Sequence, residues 1–359
     1  MLRIKLGRFS RAFSEERNVI LAVLLIFFSF ATGRAEFTKP ILRAEAAFSL
    51  KEPPGFHNIR AIAVDDEGRL CILDQGLNRV YVFDSQGKLV KEIGGKSAAE
   101  PFQTASGVAI GIQGEIAVSD YGKLAVLYFS KEGEFLRQSS REDLCLYGLS
   151  MLKDGKIAAM TAPLDGGPFR MEARILDANL EGSVTRGSVL SPQQGNTVDP
   201  FWISPIWKAG GNGLLYYSHP VDYKIEVFDL DGHGVRDIVK KVQPVRITEA
   251  EKEEASKQFI PPGYKFKFSE YHSAFQGFTV DDDGHVFVRT WEKSPEPGGF
   301  MFDVFDDQSR EIGRFPLNVK PSLWKKCKMY TIENTETGAQ MVRRYAVEWE
   351  NCPGKVPER

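Results

Sequence analysis

Three of the five histidines are candidates for a metal site. His57, His219 and His272 lie beside segments with strand-like sequence, whereas His233 and His285 fall in tight-turn sequences. Neutral imidazole is the commonest metal ligand in proteins, and three histidines with one open position form a typical catalytic zinc site. The three are far apart in the sequence and belong to no short motif such as H-E-x-x-H, so only the fold can bring them together.

A second set of polar residues recurs at the ends of segments that alternate apolar and polar residues. If those segments are equivalent strands of a repeated sheet, the residues form a rim that suits a small ligand or a metal. The set comprises Asp74, Asp120, Thr161, His219, Thr290 and Glu333. The alternative is that these side chains bond to the backbone of their own loops.

Cationic and aromatic residues near the same strand ends form a third candidate surface. They are Arg79, Tyr121, Tyr223, Arg289, Trp291 and Arg344. Arginine and aromatic side chains are enriched at binding hot spots, so this set predicts a ligand-binding face. The alternative is that they cover the edges of surface loops.

Other chemical signatures find no support in the sequence. The acidic runs at 65–66 and 281–283 lack the ligand spacing of a twelve-residue calcium loop and suit tight turns. No G-x-S-x-G, Walker A or dinucleotide-binding sequence occurs.

The elements that must position these residues are repeated strands. Residues 62–95 read IAVDDEGRLCILDQGLNRVYVFDSQGKLVKEIGG, with strand-like alternation between turn sequences. A shift of about 46 residues, a period typical of propellers, superposes Gly68 on Gly114 and Asp74 on Asp120. Four short strands in each repeat are typical of a propeller blade.

Six repeats can be placed, which predicts an all-β, six-bladed β-propeller of four-stranded antiparallel blades. The predicted blades are 59–95, 105–140, 146–190, 202–242, 275–316 and 318–352. The sixth is incomplete, and we predict that residues 45–50 supply its missing strand, because an unpaired edge is normally closed or covered.

An insertion at 243–274 separates the fourth and fifth blades. Thr248 and Glu251 have the spacing of a capping box, and Pro261 and Pro262 stop the helix that this box begins. A solvated charged helix is favoured over a lid across a ligand site.

The N-terminus predicts export. Residues 1–35 contain a basic stretch, an apolar run from Val19 to Ala31 and small residues after it, which is typical of a signal peptide. We expect a secreted or periplasmic protein, with an uncleaved membrane anchor as the alternative and no other membrane contact. The rest of the chain is mildly acidic and has no basic stripe, which disfavours a nucleic-acid partner.

The cysteines fall into two groups. Cys71 and Cys145 lie in apolar segments and resemble small buried hydrophobic residues. Cys327 and Cys352 align with turn glycines at one end of blade six, which predicts a disulfide in an oxidising compartment.

Residues 59–350 resemble the NHL-repeat type of six-bladed propeller, and most closely the secreted or anchored bacterial propellers without assigned activity. The resemblance rests on the first blade, on FQGFTVDDDGHVFVRTWE and on KMYTIENTETGAQMVRRYAVEW. The resemblance implies the fold and not the function. Our first hypothesis is a recognition module that binds a protein, peptide or glycan without a cofactor, on the face that carries the links between blades.

The alternative is a metal-dependent enzyme. One such enzyme is a zinc enzyme resembling amidating lyases, which would use the three histidines. The other is a lactonase-like hydrolase, which would hold a divalent ion such as calcium with Asp74, Asp120 and Glu333. Propellers host all of these functions, so the fold does not choose between them.

Overall fold

Six four-stranded antiparallel sheets arranged in a ring form the protein, which confirms the predicted propeller. The computed structural model describes residues 40–45, 55–95, 100–191, 196–336 and 338–348. The predicted signal segment, Cys352 and most of the segment 45–50 lie outside these residues.

In each of the first three blades, four consecutive strands pair in chain order. Their bounds are, for blade one, β2 (Ile59–Val64), β3 (Leu70–Asp74), β4 (Arg79–Phe83) and β5 (Leu89–Gly94); for blade two, β6 (Ala105–Ile110), β7 (Ile116–Asp120), β8 (Ala125–Phe129) and β9 (Phe135–Ser140); and for blade three, β10 (Leu144–Met151), β11 (Ile157–Pro163), β12 (Arg170–Leu176) and β13 (Ser183–Leu190).

The other three blades follow the same plan, except that the last takes its outer strand from the beginning of the chain. Their bounds are, for blade four, β15 (Ile206–Ala209), β16 (Leu215–Ser218), β17 (Lys224–Phe228) and β18 (Gly234–Val239); for blade five, β20 (Gly277–Val280), β21 (Val286–Lys293), β22 (Phe300–Phe305) and β23 (Glu311–Leu317); and for blade six, β24 (Pro321–Lys325), β25 (Lys328–Asn334), β26 (Gln340–Glu348) and β1 (Ile41–Ala44).

The closing strand lies a few residues before the predicted segment 45–50. Ile41 to Ala44 pair with β26, and the Glu45 amide donates one further hydrogen bond to the Arg344 carbonyl. The Glu45 carboxylate also forms ion pairs with Lys328 and Arg344. The prediction of an N-terminal closing strand was therefore right, but its position was wrong. The position is set by Leu42, which packs on the core, and by these ion pairs.

The core is divided among the six interfaces between neighbouring blades. Each interface has its own cluster of buried apolar side chains, for example Val80 and Val118 between blades one and two, and Tyr81 and Tyr330 between blades one and six. The inner strands also touch their neighbours around the ring, including β2 with β24. A Cβ at Gly107 of β6 would come within 2.8 Å of the Gly148 Cα, so this close approach of inner strands requires glycine.

The insertion between blades four and five contains the predicted helix. Helix α1 (Glu249–Ala255) begins at the Thr248–Glu251 capping box and ends before the predicted proline stop. A short parallel pair, β14 (Thr197–Val198) and β19 (Lys265–Phe266), ties the insertion to the link before blade four. Among the described residues, no helix has the length and apolar character needed to cross a membrane.

Cys71 should be inert to alkylation in the folded protein. It is fully buried in β3, and burial raises the pKa of its thiol to about 12, so almost no reactive thiolate forms at neutral pH. We expect iodoacetamide to modify the exposed Cys327, after reduction if the predicted bridge to Cys352 has formed, and to spare Cys71. Peptide mass mapping with and without denaturant measures this. Labelling of native Cys71 at the rate of Cys327 would contradict the buried position of β3.

Candidate functional site

The second-strand ends form a buried structural ring and not an open rim. The residues that occupy equivalent positions are fully or almost fully buried. They are Asp74, Asp120, Thr161, Ser218, Thr290 and Thr331. The sequence alignment was therefore wrong by one residue at His219 and by two at Glu333. In blade six, β25 and β26 continue past the equivalent position as a longer hairpin, so the strand end is displaced.

The two aspartates of this ring hold the backbone of their own blades. Asp120 accepts hydrogen bonds from the amides of Gln103 (2.7 Å), Thr104 (2.8 Å), Gly122 (3.0 Å) and Lys123 (3.2 Å). Asp74 accepts equivalent bonds from the amides of residues 57, 58 and 77. The threonines bond to carbonyls or side chains of their own blades. These carboxylates are thus committed to the fold, as the alternative interpretation of the sequence proposed.

The three histidines do not converge. Among the described residues, the group of three His, Cys, Asp or Glu side chains with ligand atoms within 4.8 Å of one another consists of Asp281, Asp283 and His285. His57 is exposed in the link before blade one, and His219 is half-buried in blade four, where burial lowers its pKa. Blades one and four stand on opposite sides of the ring, which explains why the proposed zinc ligand set is wrong.

The third of them, His272, anchors the insertion. Its ring stacks on Trp291 with centroids 3.8 Å apart, and its Nε2 lies 3.2 Å from the Glu251 carboxylate of helix α1. The His272 side chain is almost completely buried. Its Nδ1 and the Nε1 of Trp291 have no hydrogen-bond partner in the described part of the chain. The predicted surface residue Trp291 is therefore covered by the insertion.

The central channel opens onto the predicted binding face. It has a volume of about 1440 Å³ and is lined by the inner strands of all six blades. One mouth is formed by the turns that follow the inner strands, and the other by the links that lead into them. We call these the turn mouth and the link mouth.

Irregular pairing in four inner strands turns a side chain into the link mouth. The register between the first and second strands skips one residue at Arg60, Ser106, Tyr147 and Ser322. A β-bulge re-aims a side chain, and bulges are over-represented next to active sites. All four residues line the channel. Ser106 is buried and bonds to the Leu146 carbonyl of the next blade at 2.8 Å, so Arg60, Tyr147 and Ser322 are the bulged residues that remain accessible.

At the turn mouth, the charged groups are paired. Lys325 lies 2.7 Å from Asp66 and 3.1 Å from Asp282, and it lowers the pKa of Asp66 through a hydrogen bond and its charge. The backbone amide of Lys326 donates a 2.7 Å hydrogen bond to Asp282. Charges at this mouth are therefore largely satisfied within the protein.

At the link mouth, the lining charges are cations, and no carboxylate pairs with them in the described residues. Arg60, Arg289 and Lys320 line this end of the channel, whereas every described acidic lining residue belongs to the turn mouth. The Nε of Arg289 is buried without a hydrogen-bond partner in the described chain. Lys320 and Arg289 line the same mouth, and partial desolvation by the channel walls, followed by the charge of Arg289, lowers the pKa of Lys320.

Farther into the channel, Lys208 of β15 adds a fourth cation. It remains accessible to solvent, and the surrounding walls lower its pKa by desolvation. It has no ion-pair partner among the described residues. The positive character of the link mouth therefore continues into the channel.

The opposite wall of the link mouth is apolar. Tyr147, Met160 and Trp202 pack on a small cluster that contains Met171, and all four line the channel. Tyr121 lies 5.9 Å from Tyr147, ring centre to ring centre, and remains 38% exposed. The wall belongs to blades two to four, so it faces the cations of blades five, six and one.

The structure separates the other members of the predicted cationic and aromatic face. Arg79 pairs with Glu92 at 2.5 Å on blade one, outside the channel. Tyr223 is buried and donates a 2.7 Å hydrogen bond to Asp303, so it belongs to the core and not to a surface. Arg344 donates to the Ser85 carbonyl in an outer-strand turn, so it points to the opposite end of the propeller. In the strand register, Arg79 pairs with Asp74, whereas the equivalent Thr331 pairs with Arg343, so the alignment of Arg344 with Arg79 was wrong by one residue.

Comparisons with known proteins agree with the architecture. A family model described as a 6-bladed beta-propeller, DUF5128, matches residues 53–160. No curated protein sequence matches the chain. Among solved structures, the chain is similar to an exported protein from Bacteroides fragilis, with 13% identity, a TM-score of 0.53 and coverage of 89% of this chain and 96% of that one. It is also similar to a member of the duf4221 family from Bacteroides vulgatus, with 12% identity, a TM-score of 0.55 and coverage of 88% and 99%. At such identities these likenesses concern the fold, and the chain is a six-bladed β-propeller.

Proposed function

We propose that this protein is an exported recognition module of the NHL-repeat type that binds its ligand at the link mouth of the central channel. The observation that carries the proposal is that accessible bulged residues meet cations at this mouth that have no ion-pair partner in the described part of the chain, while the charges at the turn mouth are paired. Like charges held together without counter-ions cost free energy, and such arrangements cluster at functional sites. The N-terminal sequence and the likeness to an exported protein support the location.

The proposal does not require catalysis. Asp74 and Asp120, which a hydrolase would need as metal ligands, use their oxygens on backbone amides. Glu333 is likewise engaged by Arg343 and by the Tyr345 hydroxyl. Recognition therefore accounts for the open side chains of the link mouth without a reactive group.

Ligand-observed NMR with a panel of neutral, anionic and cationic fragments tests the proposed site. We expect Tyr147→Ala and Trp202→Ala to abolish the saturation-transfer signals of most binding fragments, because these variants remove the apolar wall. The matched control is Ile112→Ala, an exposed residue that lines the same channel at the turn mouth. It should leave the signals unchanged.

Because Trp202 packs on buried neighbours, the melting temperature of each variant must be measured beside the binding. Phe169→Ala, which removes an exposed side chain of the link mouth, provides a variant with little risk to folding. If the fragments bind equally to wild type and to all three link-mouth variants, the proposed site is wrong.

A further inference from the structure

The two unlike walls of the link mouth restrict the chemistry of its ligand, and this inference rests on the function proposed above. One wall presents Arg60, Arg289 and Lys320, and the other presents Tyr147 and Trp202. We infer that the site binds a small organic anion in which a negatively charged group is attached to an apolar or aromatic body.

The cationic wall selects for the negative group. Arg289 of β21 carries a guanidinium that lies 5.1 Å from the centre of the Phe300 ring, and no carboxylate pairs with it among the described residues. Arginine binds carboxylate and phosphate groups through two parallel hydrogen bonds. Lys320, just before the first strand of blade six, has an exposed side chain and lines the same mouth as Arg289. An anion between them would relieve their mutual repulsion.

The apolar wall selects for the body of the ligand. Trp202 and Tyr147 are half-buried side chains that pack on Cys145, Ala162 and Met171 and keep another face toward the channel. Burying an aromatic ring on such a surface contributes free energy in proportion to the apolar area removed from water.

Among the residues that the structure describes, no carboxylate at the link mouth offsets the positive electrostatic potential of its cations. Carboxylates at the turn mouth are tied to Lys325 and to the backbone of Lys326, on the far side of the inner strands. Lys208, in the middle of β15, lines the channel between the two mouths. A cleft lined by one sign of charge with low-dielectric walls concentrates the oppositely charged solute. A cationic or neutral body would lack this attraction.

Calorimetric titration with 2-naphthoate, 2-naphthamide and acetate separates these contributions. We expect 2-naphthoate to bind. The neutral amide has nearly the same shape but loses charge-assisted hydrogen bonds, so its affinity should be lower by a factor of roughly ten or more. Acetate, which has the charge without the ring, should bind more weakly than 2-naphthoate by at least as much.

Lys320→Gln and Arg289→Gln should weaken 2-naphthoate binding roughly tenfold each while leaving 2-naphthamide unaffected. Lys88→Gln, an exposed cation in an outer-strand turn, is the matched control and should change neither. Lys320 is exposed, so that variant should fold even if Arg289→Gln does not. Equal affinities for 2-naphthoate and 2-naphthamide would overturn the inference and leave the recognition site standing. If 2-naphthoate does not bind, the inference is wrong, and the fragment panel then decides separately whether the site itself exists.

Discussion

Deleting residues 1–45 is expected to lower the free energy of unfolding by at least about 3 kcal/mol and to promote self-association, whereas deleting residues 1–39 is not. The longer deletion removes β1, whose four residues pair with β26, together with the ion pairs of Glu45 to Lys328 and Arg344. It leaves the outer edge of blade six without a paired strand, and it leaves a gap where Leu42 packs on the core.

Both truncated proteins should be produced without an export signal and compared by urea unfolding and by size-exclusion chromatography. The shorter deletion is the matched control because it keeps every residue of β1. If the two proteins unfold at the same urea concentration and elute as the same species, then the N-terminal strand does not close the ring.

Replacing Asp120 with alanine is expected to cost about 3–5 kcal/mol of stability. The side chain is fully buried and accepts four backbone hydrogen bonds, two from the link into blade two and two from its own loop. Without it, these amides lose their partner in a place that water reaches poorly. Such unsatisfied donors cost more than the net value of the bonds they made.

Asp84→Ala is the matched control. Asp84 also accepts two backbone amides, from Gln86 and Lys88, but it does so in an exposed turn where water can replace the carboxylate. We expect a cost of about 1 kcal/mol there. Thermal and chemical unfolding of both variants measures the difference. Equal, small effects would show that Asp120 does not have a structural role in the buried ring, and would reopen the hypothesis that this ring binds a ligand.

The architecture could be predicted because its signals are local. Asp65 and Gly68 in the first turn, and their counterparts in later blades, adopt the turn conformations that their residue types favour, with Gly68 at φ +84°. Cys327 was aligned with this glycine and also has a positive φ, of 55°. The alternation of residues between such turns fixed which strands pair, so the number of blades followed from the sequence.

The binding site could be predicted only in part, because it depends on tertiary detail. The sequence around Arg60 alternates in the same way with or without a bulge, so nothing local shows that this side chain enters the channel. Whether Lys320 meets a carboxylate depends on side chains from other blades. Arg289 was identified from its type and place. Arg60, Tyr147, Trp202 and Lys320 were missed because the residue types at the bulges and in the links differ from blade to blade.

A crystal structure of the complex with 2-naphthoate tests the central claim most directly. The account predicts electron density for the carboxylate within hydrogen-bond distance of Arg289 or Lys320, and for the ring against Tyr147 and Trp202. Density at the turn mouth beside Asp66 and Asp282, or on the outer surface of the blades, would contradict it.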